Sequence, residues 1–116
     1  MKPIALCTAV ALLFSVTAYG HSHLEKSTPA EGSVLTTAPA NFVLNFEHPV
    51  RVTALSIQKG DGQSEPVGPV PETTGTQISV PAPKLVPGKY TVSWRAVSSD
   101  KHVMSGKIQF TLAPAS

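Results

Sequence analysis

From residue 21 onward, proline and glycine punctuate the chain at short intervals, and no segment sustains a helical period. Between the interruptions, apolar residues recur at every second position. "NFVLNF" places Phe42, Leu44 and Phe46 on one face, with Asn41, Val43 and Asn45 on the other. "KYTVSWRAV" sets Tyr90, Val92, Trp94 and Ala96 against Lys89, Thr91, Ser93 and Arg95, and "KIQFTL" repeats the alternation with Ile108, Phe110 and Leu112. Period-two alternation marks strands with one face on a core. "RVTALSIQ", with Leu55 and Ile57 inward, and "TQISV" are weaker strands. "SHLEKSTP" is the first strand and stops at Pro29, which cannot donate to a ladder. Turn signals in "PAEGS", "KGDGQ", "ETTGT" and "VPGKY" separate these runs. About seven short strands so arranged predict an all-β fold, a seven-stranded antiparallel Greek-key β-sandwich of Ig-like type. Trp94 is expected in its core. The Pro-rich "EPVGPVPE" and "PAPKLVP" are expected as loops over sheet edges, and "APAS" as a loose tail.

The first twenty residues are of another kind. Met1 and Lys2 give a positive start, residues 4–17 are almost wholly apolar, and Ala18 and Gly20 are small residues at the −3 and −1 positions of a cleavage site. This is the pattern of a secretory signal peptide, and the apolar run falls short of the ~20 residues needed to span a bilayer as a helix. The expected organisation is therefore a cleaved signal, 1–20, and one domain, 21–116. The only cysteine, Cys7, leaves with the signal, so the exported domain must hold together without a disulfide. Removing Lys2 leaves eight Lys and Arg (9 − 1) against seven Asp and Glu. No two of those cations are adjacent, and the sequence carries no nucleic-acid footprint.

Chemistry has few places to reside. There is no thiol after residue 7, no G-x-S-x-G, no phosphate loop and no H-E-x-x-H. What remains is His21, His23, His48 and His102, with Asp100 two residues before the last. Cleavage after Gly20 would give His21 a free α-amine beside its imidazole, a two-nitrogen chelate suited to Cu(II) or Ni(II). In "SSDKHVMSG", a turn between the strands of Trp94 and Phe110, Asp100 and His102 would project together at one end of the sandwich. The first strand begins near His21, so amine, two imidazoles and a carboxylate would meet in a set that fits tetragonal Cu(II). His23 leaves two modes open. It would either orient a ligand by hydrogen bonding or close a fold-independent wrap of Cu(II) by the amine, two amides and its own ring. His48 and Glu47 read as exposed loop residues, and Met104, alone after residue 20, excludes a methionine-rich Cu(I) site.

Three segments, "HSHLEKSTPAEGS", "LVPGKYTVSWRAVSSDKH" and "GKIQFTL", resemble the CopC/PcoC-type periplasmic copper-resistance proteins, YobA-like members included, in matching order and spacing. The resemblance implies a seven-stranded Greek-key sandwich that binds Cu(II) in the periplasm. Carried over by motif, the ligands fall on His21 (amine and ring), Asp100 and His102, and His23 matches a histidine common in members that begin H-x-H. The Met-rich Cu(I) loop of some members has no counterpart in "DGQSEPVGPVPETTG", which implies a Cu(II)-only protein. Glu47-His48 stands where members often have Ser-Glu. One Cu(II) per chain is expected, in a monomer outside the bilayer that stores copper or passes it to a CopD-type inner-membrane importer. No catalysis is expected. The competing readings are a copper His-brace redox enzyme, disfavoured by the carboxylate at a position oxygen chemistry needs open, and a metal-free interaction module.

Overall fold

The structure, a computed structural model, describes residues 24–114. The expected signal segment and its expected cleavage point after Gly20, with His21 and His23, all lie outside them. Seven strands form: β1 (Leu24–Thr28), β2 (Ser33–Leu35), β3 (Asn41–Lys59), β4 (Ser64–Pro66), β5 (Gly75–Pro81), β6 (Gly88–Ser98) and β7 (Val103–Leu112).

β3 organises the molecule. The two strands expected at "NFVLNF" and "RVTALSIQ" are one continuous strand of 19 residues. Its first half pairs antiparallel with β1 on one side and β5 on the other, through Leu44↔Ser27 and Leu44↔Ile78 among others. Its second half pairs with β6 and with β4, as at Ile57↔Val92 and Ile57↔Glu65. β3 thus belongs to both layers and crosses between them at Glu47, His48 and Pro49, which lie in a register irregularity between Asn45 and Val50. A proline is tolerated there because no ladder needs its missing N–H. His48 therefore sits within a strand at the crossing rather than in a loop, though it is exposed as expected.

The inward positions agree with the alternation read from the sequence. Phe42, Leu44 and Phe46 face Tyr90, Val92, Trp94, Ile108 and Phe110, and no polar or charged residue is buried among the described residues. Aromatic contacts lock the layers together. Phe46 meets Trp94 edge-on at 5.2 Å between centroids, and Phe42 meets Phe110 at 6.2 Å. Each large apolar side chain so buried contributes about 1.5–3 kcal/mol, a substitute for the missing disulfide. Gly106 pairs with Trp94, and a Cβ there would stand 2.7 Å from the indole. The indole therefore requires glycine on β7 to reach Phe46.

Two departures from the expected fold have local causes. "EPVGPVPE" is not wholly loop: its start forms β4, and the Val67 N–H donates to Leu55 O at 2.8 Å, so that Val67 is drawn into the core. Isolated between prolines and glycines, a single apolar residue carries no periodic signal. The sandwich is also not wholly antiparallel, since β2 pairs parallel with β7 through Ser33↔Phe110. Glu31 accepts a hydrogen bond from Gln109 N at 2.9 Å and Gly32 N donates to Gln109 O at 2.7 Å, delivering the chain from β1 to that edge. The strands run in the order β1-β3-β6-β7-β2, with β4 and β5 also paired to β3.

Candidate metal centre

β6 and β7 are joined by a tight turn. Lys101 N donates to Ser98 O at 2.9 Å and Ser98 N donates to His102 O at 3.0 Å. Lys101 has φ 70°, so a turn is followed by a left-handed residue, a common three-residue hairpin connection. This geometry, rather than extended-chain spacing, brings Asp100 and His102 to one side. His102 Nδ1 lies 3.0 Å from Asp100 Oδ2, with the two side chains 79% and 67% exposed.

Ser98, to which the sequence reading gave no role, organises the pair. Its hydroxyl donates to Asp100 Oδ1 and accepts from His102 N–H at 3.2 Å. The hydroxyl holds the Asp100 carboxyl below its ordinary value of 3.8; burial opposes it, and the neighbouring His102 adds a lesser lowering. A serine two residues before an aspartate at a strand end is a turn-forming signal that could have pointed to it.

The topology relates this turn to the start of β1. Leu24, the first described residue, pairs with Phe46, and four positions further along β3 Val50 pairs with Ser98. The beginning of β1 and the β6–β7 turn thus sit towards the same end of the sandwich. Among the described residues no third His, Cys, Asp or Glu joins Asp100 and His102 in a metal-holding group. Glu47 and His48 form no such group with them among the described residues. Met104 is in the core, 5% exposed.

The pair suits a divalent first-row ion. Ligands about 2.0–2.1 Å from such an ion lie about 2.9 Å apart across a right angle, close to the observed 3.0 Å. An imidazole nitrogen and a carboxylate oxygen in adjacent positions supply half of a planar donor set.

The CopC domain model matches residues 24–113. The chain belongs to the CopC family. It is 36% identical to Copper resistance protein C of Pseudomonas syringae pv. tomato, over 88% of each chain. It is 34% identical to Protein YobA of Escherichia coli K12, over 93% of this chain and 91% of that one. Copper transport protein CutJ of Bacillus subtilis is 32% identical over 91% of this chain, which matches only 21% of CutJ's length. Among solved structures, CopC from Methylosinus trichosporium OB3b superposes with a TM-score of 0.66 at 26% identity, covering 80% of this chain and 94% of that one.

Proposed function

We propose that this CopC-family protein is exported, loses residues 1–20, and in the periplasm binds one Cu(II) through the His21 amine and imidazole, Asp100 and His102. It holds copper out of circulation or delivers it to a CopD-type importer in the inner membrane. The observation that carries the reading is the Asp100–His102 pair, spaced at 3.0 Å and oriented by Ser98. Support comes also from relatives named copper resistance proteins and from CutJ, a copper transport protein whose chain contains a region of this kind.

The chain's own residues divide the work. Ser98 and the left-handed Lys101 fix the turn, Asp100 contributes charge, and His102 contributes an imidazole nitrogen. His21 completes the set only if cleavage frees its amine, and His23, beside it, orients a ligand.

Copper titration of the processed protein tests this. One extra residue before His21 is expected to cause a large loss of Cu(II) affinity, because the amine moves away from the ring; an unchanged affinity overturns the chelate. His102→Ala is expected to lose more than the roughly 10–100-fold that removing a residue that only hydrogen-bonds a ligand costs. A wrap through His23 would leave that variant unaffected. Peroxide production by the ascorbate-reduced protein would favour the enzyme reading instead.

A further inference from the structure

The outer face of the β3–β6–β7 sheet carries a second feature of one charge sign. By register, Ala54, Arg95 and Ser105 form one row across the three strands and Ser56, Ser93 and Lys107 the next. Arg95 and Lys107 are thus diagonal neighbours, both exposed, with three serine hydroxyls around them and no carboxylate at any of these positions. Together they line a shallow groove of about 330 Å³, to which Gly106 and Trp94 also contribute. Neither cation makes an ion pair among the described residues. Carboxylates stand at the margins of the face: Glu65 on the flanking β4, next to the Pro66 that pairs with Ser56, Glu72 in a hollow with Arg51, and Glu31 and Asp61 in one with Lys89. An anion approaching the sheet is therefore drawn to its centre.

We propose that this groove binds the phosphate group of anionic membrane lipids and seats the protein on the bilayer. Two cations and three hydroxyls in one concavity are the donors a phosphate needs. The composition argues for headgroups over an acidic protein surface. Protein interfaces are anchored by exposed aromatic side chains and methionine; the outward positions of these rows hold none, and Trp94 reaches the groove only from the core side beside Gly106, 3% exposed. The next row toward the β6–β7 turn is Arg51, Val97 and Val103, the last 66% exposed. It gives the contact a small apolar rim on the side of Asp100 and His102. A protein lying on this face would keep that turn at the membrane surface, where an embedded importer would accept its copper. This orientation rests on the proposed delivery role, whereas lipid binding itself does not.

Cosedimentation of the exported, processed protein with vesicles tests the proposal. Equimolar phosphatidylglycerol and phosphatidylethanolamine should carry the protein down in low salt, and pure phosphatidylcholine should not. Arg95→Gln with Lys107→Gln should weaken binding about thirtyfold, at roughly fivefold per cation at an anionic surface. Lys26→Gln with Lys84→Gln, the same change in net charge on other faces, should leave it near wild type. Circular dichroism checks the fold of each variant. Equal losses from both pairs, or equal binding to phosphatidylcholine, would overturn the proposal. So would competition showing that polyglutamate binds the groove more tightly than the vesicles, which would assign it to an acidic protein. Inorganic phosphate that shifts Ser93 and Lys107 amides while vesicles do not would assign it to the free anion. Copper affinity, measured on the same samples, is expected to be unchanged in the Gln variants. Vesicle binding without copper binding would sink the proposed function and leave this inference standing; copper binding without vesicle binding would do the reverse.

Discussion

Ser98 shows how one hydroxyl can set the electrostatics of an exposed site. Donating to Asp100, it is the largest influence that lowers that carboxyl's pKa. A group whose pKa is lowered on folding stabilises the fold above its ordinary pKa, and that contribution disappears as pH falls through the lowered value. Asp100 is two-thirds exposed, so solvent keeps its effect on stability small, and its own titration is the better observable. Ser98→Ala is expected to raise the Asp100 pKa back toward 3.8, read by a carboxyl carbon NMR titration of the metal-free protein. An unmoved titration would mean that His102 and not Ser98 sets the charge. Asp100 and His102 were legible as candidates because an acid and a histidine at that spacing in a predicted turn are rare in this chain. Ser98 was not singled out, because serine is common here and a serine two residues before an aspartate is only a general turn signal until the turn's hydrogen bonds are seen.

At the scale of the strand, β3 explains why alternation was a reliable guide in some places and a weak one in others. Its buried positions run Val50, Val52, then Leu55 and Ile57, so the inward parity switches partway. The switch falls at Thr53, in a register shift between Val52 and Ala54 where three steps on β3 match two on β6 (Val52↔Ala96, Leu55↔Trp94). This is a β-bulge, which inserts one residue and bends the strand, and the Thr53 hydroxyl donates across it to Arg95 O at 3.3 Å. Sequence periodicity breaks at a bulge, so "RVTALSIQ" gave the weaker signal, whereas the unbulged β6 and the second part of β7, from Lys107, were legible; Val103–Gly106, read as turn, belong to β7. The same reasoning yields opposite outcomes for two deletions. Removing Thr53 restores simple alternation from Val50 through Ile57 against an unchanged β6, so the protein should still fold cooperatively. Removing Ser56 turns Ile57 outward, since a one-residue slip sends every following side chain to the other face; it should cost about 2–5 kcal/mol, as losing a buried Ile does. Urea denaturation of the two deletions compares them directly, and equal destabilisation would refute the bulge assignment.

On the scale of the whole molecule, the fold brings together parts of the chain that are far apart in sequence. β1 begins at residue 24 and the β6–β7 turn lies near residue 100, yet β3 places both towards one end by pairing with each. The layers and their facing residues were readable because burial imposes a period. The crossing of β3, the parallel β2–β7 edge and the plug of Val67 were not, since each depends on contacts between distant segments. A metal held at once by the chain preceding β1 and by the turn would act as a clasp between the first strand and the central hairpin. It would bind the folded chain and not the unfolded one, where these groups are separated. At free Cu(II) one hundredfold above the dissociation constant, such linkage stabilises by about 2.7 kcal/mol. With a urea m-value of about 1–3 kcal/mol/M, the unfolding midpoint should rise by about 1–3 M. A wrap confined to the first three residues through His23 needs no fold and binds both states equally, so it should leave the midpoint where it is. Urea unfolding of the processed protein with and without Cu(II) therefore separates the two modes even if both bind copper tightly. An upward shift that disappears in His102→Ala identifies the clasp, and tight binding without any shift would assign the copper to the peptide wrap.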